Sequence, residues 1–434
     1  MIMSSNVVAI IADDLTGAND SALQFYLQGA NTQILLSDSA EIENCSATQT
    51  WAVSTETRNV LPEVAFEKVK SVTRMLIDKL SPDYFFKKID STIRGNIAVE
   101  TLTVLNELEW DAAVVVPAFP DEQRITVGGY HLLRSMPIER TEISHDPKAP
   151  ICESHLPTLL ACQLQEEYRH LIGHVELKTI MKGAGPILVR MNELINEGKK
   201  LIIMDAVSNT DVEQISLAIK KIDKQILPTG TAAFAKALAK LWFGMSGENE
   251  VIQQKIIPPL PKCIISGSAT QLCAAQIAEL KASEYFNNFA EYSLKFEDIT
   301  SDINETMVMD IVCNLSQGKN VLVHTTGLED IPNNDGEPND ENDENISFPT
   351  LITDYLSKLA CMIKARIETI FIFIGGETAY KSCECMGATR LQLIDKVTGP
   401  IPLCLDYNGQ WVVTKSGNLG NAQTMVEVLK YFEK

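Results

Sequence analysis

The sequence of 434 residues has no apolar run of the roughly 18 residues that are needed to cross a bilayer. It also lacks a basic segment ahead of its first short apolar run, and Asp13 and Asp14 follow that run directly. A secretory signal peptide needs a basic start and a longer apolar stretch, so none is predicted. We therefore expect a cytoplasmic protein that has no membrane partner.

Basic residues are scarce: 37 Lys and Arg stand against 57 Asp and Glu, for a formal net charge of −20. This balance disfavours a nucleic-acid partner, because phosphate backbones are bound by basic surfaces. Eight of the acids lie between Glu329 and Glu344 without any Lys or Arg among them. The segment 329–345 is predicted to be a surface loop, and its spacing does not fit an EF-hand calcium loop.

Several motifs that identify common site types are missing. The ten cysteines show no framework spacing, and the pair Cys383 and Cys385 has no second pair or histidine partner, so neither disulfides nor a protein-bound metal are predicted. No G-x-x-x-x-G-K-[ST] loop occurs, and no G-x-G-x-x-G. These absences exclude a Walker-type phosphate loop and count against a Rossmann dinucleotide domain.

What the chain does have is a regular alternation of short apolar runs with helical patterns. Strands separated by helices of this length indicate parallel sheets with right-handed crossovers. Strands are predicted at 7–12, 32–36, 50–53, 84–89, 112–116, 201–204, 225–227, 262–265, 320–324 and 369–374, and helices at 61–80, 97–108 and 230–241. We predict an α/β protein of two domains with mainly parallel sheets and a ligand cleft between them.

Gly and Pro cluster between the two series of strands, from Gly244 to Pro261. Low apolar periodicity with clustered prolines is typical of an interdomain linker. The predicted boundaries are 1–245 for the first domain, 246–261 for the linker and 262–434 for the second domain.

Polar residues follow the strands of the first domain, where open α/β sheets place their ligands. Asp13 and Asp14 follow the first strand, and the later strand ends add four cations and two hydroxyls beside Asp90: Arg58, Lys88, Arg94, Arg124, Ser91 and Thr92. The cations suit an anionic small molecule and the hydroxyls suit a polyol. Simpler interpretations stay open: Asp13 and Asp14 as helix caps, Asp90 with Ser91 as another cap, and Lys87 as a solvated side chain.

The second domain carries glycine and serine turns in the same positions. They are Ser266-Gly267-Ser268, Gly375-Gly376-Glu377-Thr378 and Lys415 to Gly420. Such turns at helix N-termini present backbone N–H groups to anions, although one glycine alone often serves only a tight turn. Three of them predict a polyphosphate site.

Seven stretches, in order, resemble the four-carbon acid sugar kinases, which include D-threonate, D-erythronate and 3-oxo-tetronate kinases. They are IADDLTGAND (11–20 with Ile10), KKIDSTIRGN (87–96), PAFPDEQRITVGGYHLL (117–133), DPKAPICESHLP (146–157), SGS (266–268), GGET (375–378) and KSGNLG (415–420). The resemblance implies an N-terminal acid-sugar-binding domain and a C-terminal ATP-binding domain. One departure from the family pattern is the acidic stretch after Gly327, which is longer than the family usually carries.

The resemblance also implies site residues. The acid sugar would contact Asp14, Arg58, Lys88, Ile89, Asp90, Ser91 and Thr92, and ATP would contact Ser266, Gly267, Ser268, Gly375, Gly376, Glu377, Thr378, Gly417 and Gly420.

We expect transfer of the γ-phosphoryl group from ATP, as its Mg²⁺ complex, to a substrate hydroxyl. Arg58 and Lys88 would clamp the substrate carboxylate, and Asp14 or Asp90 would accept the proton. Asp14 is preferred because Asp90 could start a helix. Arg94 would stabilise the migrating phosphoryl group or serve as an ion-pair partner, and Glu377 could orient Mg²⁺ or the ribose.

The alternatives are a 3-oxo-tetronate kinase, a non-catalytic acid-sugar sensor and a phosphatase of the haloacid dehalogenase kind, whose Asp-x-Asp-x-Thr pattern is not met here. The sequence leaves a homodimer open.

Overall fold

The computed structural model describes residues 6–36, 42, 47–146, 148–244, 256–326 and 347–433. The acidic segment 329–345 and residues 246–255 of the predicted linker lie outside the described residues. The chain divides into two compact units, Met1–Gln254 and Lys255–Lys434. The exact domain boundaries, the linker and the cleft stay predictions.

The first unit contains the following strands and helices. Its strands are β1 (Val8–Ala12), β2 (Thr32–Leu35), β3 (Thr50–Ser54), β4 (Tyr84–Lys88), β5 (Ala112–Val116), β6 (Arg124–Val127), β7 (Tyr130–Leu133), β8 (Met136–Pro137), β9 (Ile172–Val175), β10 (Leu201–Met204) and β11 (Ile226–Gly230). Its helices are α1 (Leu15–Tyr26), α2 (Pro62–Leu80), α3 (Ile97–Glu107), α4 (Leu156–Cys162), α5 (Leu177–Ile180), α6 (Ala184–Asn196), α7 (Asn209–Lys221) and α8 (Ala232–Phe243).

Eight of these strands form one parallel sheet in the order β2-β3-β1-β4-β11-β5-β10-β9. All five residues of β1 are buried, as expected of an inner strand that is covered by helices on both faces. Because β3, β1 and β4 are neighbours and parallel, the loops that follow them emerge side by side at one edge of the sheet.

The second unit also consists of a mainly parallel sheet whose strands alternate with helices. Its strands are β12 (Lys262–Ser266), β13 (Phe289–Ser293), β14 (Asn320–His324), β15 (Ile370–Ile374), β16 (Arg390–Thr398), β17 (Ile401–Asp406) and β18 (Trp411–Lys415). Its helices are α9 (Gln271–Ala282), α10 (Phe296–Ile299), α11 (Glu305–Ser316), α12 (Phe348–Lys364), α13 (Gly376–Cys385) and α14 (Thr424–Tyr431).

These strands run in the order β13-β14-β12-β15-β18-β17-β16. The first five are parallel, whereas β17 runs antiparallel to both of its neighbours. The predicted α/β class with mainly parallel sheets is confirmed. The antiparallel β16 and β17 were not predicted, and neither was the small antiparallel sheet β6-β7-β8.

No helix within the described residues is both long and apolar enough to span a bilayer.

Candidate functional site

In the first unit, Arg58 joins the loops after β3, β1 and β4. Its Nε lies 2.8 Å from Asp13 Oδ2, its Nη2 lies 3.0 Å from Asp13 Oδ1, and its Nη1 lies 2.7 Å from Asp14 Oδ2. Its Nη2 is also 4.0 Å from Asp90 Oδ1. One guanidinium therefore connects three carboxylates from two different loops, and its five donors suit this geometry.

Asp14 caps helix α1. Its extended backbone (φ −150°, ψ 164°) and the 2.8 Å bond from the Gly17 N–H to its Oδ1 are those of an N-cap residue. The cap interpretation is thus correct for Asp14, while Asp13 instead chelates Arg58. Burial alone would raise the pKa of Asp14, but Arg58, Lys88 and a hydrogen bond from Thr16 hold the pKa below its ordinary value.

Asp90 begins no helix, because α3 starts only at Ile97. Its Oδ2 accepts hydrogen bonds from Thr92 Oγ1 and, at 2.7 Å, from Arg94 Nε. Burial opposes ionisation, yet Arg94 and Arg58 hold the pKa of Asp90 well below its ordinary value. The predicted helix cap at Asp90 is wrong, and so is the reason for which Asp14 was preferred over it as the proton acceptor.

Lys88 lies across the first turn of α1. Its Nζ is 3.6 Å from Asp20 Oδ1 and donates to the Ile89 carbonyl at 3.1 Å. A Cβ on Gly17 would stand 2.6 Å from Asp14 Oδ1 and 2.9 Å from Lys88 Nζ, so glycine is what permits the close approach. The Ile89 side chain packs in the core, which leaves only its backbone for the predicted substrate contact.

Lys87 points the opposite way from Lys88. Its side chain is fully buried, with Nζ 2.8 Å from Glu100 Oε2 and 2.7 Å from the Lys88 carbonyl. The interpretation of Lys87 as a solvated side chain is therefore wrong. The ion pair of Lys87 with Glu100 is buried in the core and is not part of the site.

The four predicted cations are all held by carboxylates. Arg58 and Lys88 are paired as described, Arg94 Nη1 lies 2.8 Å from Asp146 Oδ2, and Arg124 Nη1 lies 3.5 Å from Glu122 Oε2. The sequence indicated a surplus of positive charge at this edge, but the folded site balances or exceeds it with Asp and Glu. Hydrogen-bond acceptors for hydroxyl groups are correspondingly abundant.

Three residues of this site carried no predicted role. Asp20 faces Lys88, and burial raises its pKa to about 6. Glu56 accepts hydrogen bonds from Leu15 N at 2.9 Å and from Ser54 Oγ at 2.6 Å, and burial with Asp14 nearby raises its pKa to about 8. Asp20 lies inside the quoted stretch 11–20, and Glu56 stands two residues before Arg58, so position was the available signal.

His131 on β7 is the third. Its Nε2 is 2.9 Å from the Ser91 carbonyl and its Nδ1 is 3.1 Å from Thr126 Oγ1. Burial lowers the pKa of this imidazole to about 4, so the ring is neutral at pH 7 and donates through Nε2. His131 therefore fixes the backbone of the turn that presents Asp90, Ser91 and Thr92.

In the second unit the three glycine turns follow β12, β15 and β18, which are adjacent strands. A Cβ on Gly267 would stand 2.4 Å from Thr378 Oγ1, and one on Gly417 would stand 2.1 Å from Ser268 Oγ. Thr270 Oγ1 donates to the Gly417 carbonyl at 3.1 Å. The three turns are thus in contact, and only glycine allows their present spacing.

Two helices start at these turns. Helix α13 begins at Gly376, after Gly375 with a φ of 116° that favours glycine, and α9 begins after its N-cap Thr270. The first-turn N–H groups of such helices have no partner within the helix and attract anions. Ser266 lies buried at the end of β12, where its Oγ is 3.2 Å from Cys273 Sγ.

Two of the residues that were predicted to contact ATP, Gly420 and Glu377, lie outside the contact between the three turns. Gly420 (φ 84°) packs against Thr424 at the start of α14, since a Cβ there would meet Thr424 Oγ1 at 2.3 Å. Glu377 lies on the first turn of α13, with its Oε1 3.9 Å from Lys381 Nζ. Among the described residues, no cluster of three or more His, Cys, Asp or Glu could hold a metal ion.

Comparison with known proteins gives two family matches that together span most of the chain. Residues 8–238 match the sugar-binding N-terminal domain, and residues 263–425 match the nucleotide-binding C-terminal domain.

Curated relatives have related names. A D-erythronate kinase of Heliobacterium modesticaldum is 35% identical over 54% of this chain, and this match spans only about half, 53%, of that protein. D-Threonate kinases of Salmonella typhimurium and Bordetella bronchiseptica are 26% and 25% identical, each over 98% of this chain and 98% and 97% of theirs.

Solved structures support the fold. A protein of Salmonella typhimurium LT2 aligns with a TM-score of 0.75 at 19% identity, over 97% of this chain and 98% of its own. A Haemophilus influenzae protein of family DUF1537 aligns with a TM-score of 0.69 at 22% identity, over 98% and 99%. The chain therefore belongs to the four-carbon acid sugar kinase family and is a phosphotransferase that acts on an alcohol group.

Proposed function

We propose that this enzyme transfers the γ-phosphoryl group of ATP to a hydroxyl of D-erythronate, D-threonate or a similar four-carbon acid sugar. A 3-oxo-tetronate is the alternative acceptor within the same family. ATP enters as its Mg²⁺ complex, so Mg²⁺ arrives with the substrate rather than as a resident ion. Glu377, on the first turn of α13, is the residue proposed to orient that ion or the ribose.

The observation that carries the proposal is the chemical contrast between the two units. The first unit gathers Asp14 and Asp90 around Arg58, with the Thr92 hydroxyl on Asp90, which suits a small molecule with several hydroxyls. The second unit brings three glycine turns together at the starts of helices, which suits a polyphosphate. A kinase for a hydroxy acid needs both.

Asp14 is proposed as the acceptor of the substrate hydroxyl's proton. The reason is that Arg94 and Arg58 hold the pKa of Asp90 well below its ordinary value, and a carboxylate of low basicity is a poor proton acceptor. Arg94, which is bound by Asp90 and Asp146, is proposed to hold Asp90 in place rather than to contact the phosphoryl group.

The test is a panel of four-carbon acids offered to the purified protein with Mg²⁺ and ATP. ADP formation that depends on one acid, with a phosphorylated acid as the product, is the expected result. ATP binding without ADP formation on any acid would favour the sensor. Phosphate release from phosphoesters in the absence of ATP would favour the phosphatase.

A further inference from the structure

The site in the first unit contains more carboxyl groups than cations, although its proposed substrate is an anion. Arg58, Lys88 and Arg94 face the carboxyls of Asp13, Asp14, Asp20, Glu56 and Asp90, directly or through one neighbour. Adding the peripheral pairs Arg94–Asp146 and Arg124–Glu122 does not remove the excess. An acid sugar entering with its own carboxylate would be repelled if every carboxyl were ionised.

Glu56 differs from the other carboxyls in its backbone. Its φ of 48° is left-handed, a conformation that is strained for a non-glycine residue and that clusters at functional sites. Glu56 also stands two residues before Arg58 in the loop after β3. The loop thus holds a strained carboxyl next to the guanidinium that connects the site.

The two oxygens of Glu56 are used unequally. Both of its hydrogen bonds, from Leu15 N at 2.9 Å and Ser54 Oγ at 2.6 Å, end at Oε1. The side chain is only partly buried, and within the described part of the chain Oε2 receives no hydrogen bond. Oε1 is therefore an anchor and Oε2 is left to meet a ligand.

We propose that Glu56 binds the substrate as a neutral carboxylic acid, donating a hydrogen bond from Oε2 to an oxygen of the acid sugar. This inference rests on the proposed function, since it concerns the same substrate. A neutral Glu56 removes one repulsive charge and adds one hydrogen-bond donor to a site in which carboxyl groups outnumber the cations.

The surroundings of Glu56 favour the protonated form. Burial and then the Asp14 carboxylate on the neighbouring helix cap raise its pKa, while Ser54, Arg58 and the Leu15 N–H oppose them, and the result is about 8. Asp20, with a pKa of about 6, is ionised from pH 7 upward, so its charge does not change over the pH range in which Glu56 titrates. Above pH 8 Glu56 loses its proton, and with it the donor.

The test measures binding of the acid that the panel identifies, without ATP, from pH 7 to 9.5 by calorimetry. For the wild type we expect the Kd to rise about tenfold per pH unit above 8, as one linked proton requires. Binding near pH 9 should also take up close to one proton, which calorimetry in buffers of different ionisation enthalpy reveals.

Glu56→Gln should keep the Oε1 anchor and replace Oε2–H by an N–H that does not titrate. We expect its Kd to change by less than about twofold over the same pH range. Asp78→Asn, on the exposed face of α2, is the matched control and should keep the wild-type slope.

Three results would overturn the inference: a wild-type Kd that is independent of pH, a Glu56→Gln variant that keeps the slope, or a wild-type kcat that rises through pH 8 and collapses in Glu56→Gln. The last would make Glu56 a proton acceptor. Failure of every acid in the panel to bind or react would instead overturn the proposed function.

Discussion

The carboxylates of the first unit show how one residue type takes several roles within a few ångströms. Asp13 chelates Arg58, Asp14 caps α1 and meets the same guanidinium, and Asp90 organises the turn after β4. Adjacent position in sequence gave no means of telling Asp13 from Asp14. The start of α1 decides, because Asp14 stands at the N-cap, where its extended backbone lets its side-chain oxygen accept from Gly17 N.

Replacing Asp14 with Asn tests its proposed role as proton acceptor. Asn caps helices about as well as Asp, so the variant should fold, but an amide cannot take the proton. We expect kcat to fall by about 100-fold or more, the usual worth of a general base. Steady-state kinetics with the preferred acid and ATP provide the measurement, and Asp78→Asn is again the control. A kcat within a few-fold of wild type would remove Asp14 from the mechanism.

Replacing Arg58 with Ala tests the substrate contact. The KM for the acid sugar should rise at least about tenfold, with the KM for ATP almost unchanged. The variant should also be less stable by about 3 kcal/mol, because Asp13 and Asp14 lose their partner while buried. Kinetics of both substrates and denaturant unfolding measure the two effects. Equal changes in both KM values would contradict a role confined to the acid sugar.

Among the elements of the second unit, the proposed nucleotide site is made by loops rather than by long side chains. The turns after β12, β15 and β18 touch one another through Gly267, Gly375 and Gly417, where side chains would collide with Thr378 and Ser268. Each turn alone is a weak indication of a phosphate site. Their contact in the folded unit is what supports the proposal of a single nucleotide site.

Gly417→Ala should therefore damage ATP binding selectively. The added Cβ would lie 2.1 Å from Ser268 Oγ and 3.0 Å from Ser268 Cβ, so the turns must separate. We expect the KM for ATP to rise about tenfold or more, with binding of the acid sugar unchanged.

Gly185→Ala is the matched control, since no atom lies within 4 Å of its Cβ position. In the first turn of α6 it should leave both KM values unchanged and raise stability by up to about 1 kcal/mol. A Gly417→Ala variant that behaves like Gly185→Ala would show that the turns do not form the nucleotide site.

At the scale of the whole molecule, the shifted carboxyl groups determine how stability varies with pH. The lowered pKa values of Asp14 and Asp90 stabilise the fold above pH 4, and this contribution is lost as the pH falls through their folded values. The raised pKa of Glu56 has the opposite effect on stability. The folded state keeps the Glu56 proton up to about pH 8, whereas the unfolded chain releases it near the ordinary pKa of a glutamate.

We therefore expect the free energy of unfolding to fall between pH 5 and 8, by up to about 1 kcal/mol per unit from Glu56. Asp20 adds a loss in the same direction below its pKa of about 6. Denaturant unfolding at pH 5, 6, 7 and 8 measures the slope, which Glu56→Gln should reduce. A slope that is the same in both proteins would show that Glu56 is ionised in the native state.

Much of the architecture follows from local patterns. The strands at 112–116, 201–204 and 320–324 agree with the sequence prediction to the residue. The reason is that a short continuous apolar run between two helices is typical of a strand that is buried on both faces. The hairpin of β6 and β7 was missed, since Asp205 holds Gly128 and Gly129 from a distant strand end, at 2.7 and 3.0 Å. The apolar periodicity of residues 124–133 does not predict this contact with Asp205.

The alternation of strands and helices, the polar residues at the strand ends and the family could all be predicted from the amino-acid sequence. The pairing of the charges could not: Lys87 turns inward to Glu100, Lys88 turns to Asp20, and Arg58 is shared among carboxylates. Secondary structure depends on neighbours along the chain, whereas ionisation and ion pairing depend on distance and burial, which folding alone sets.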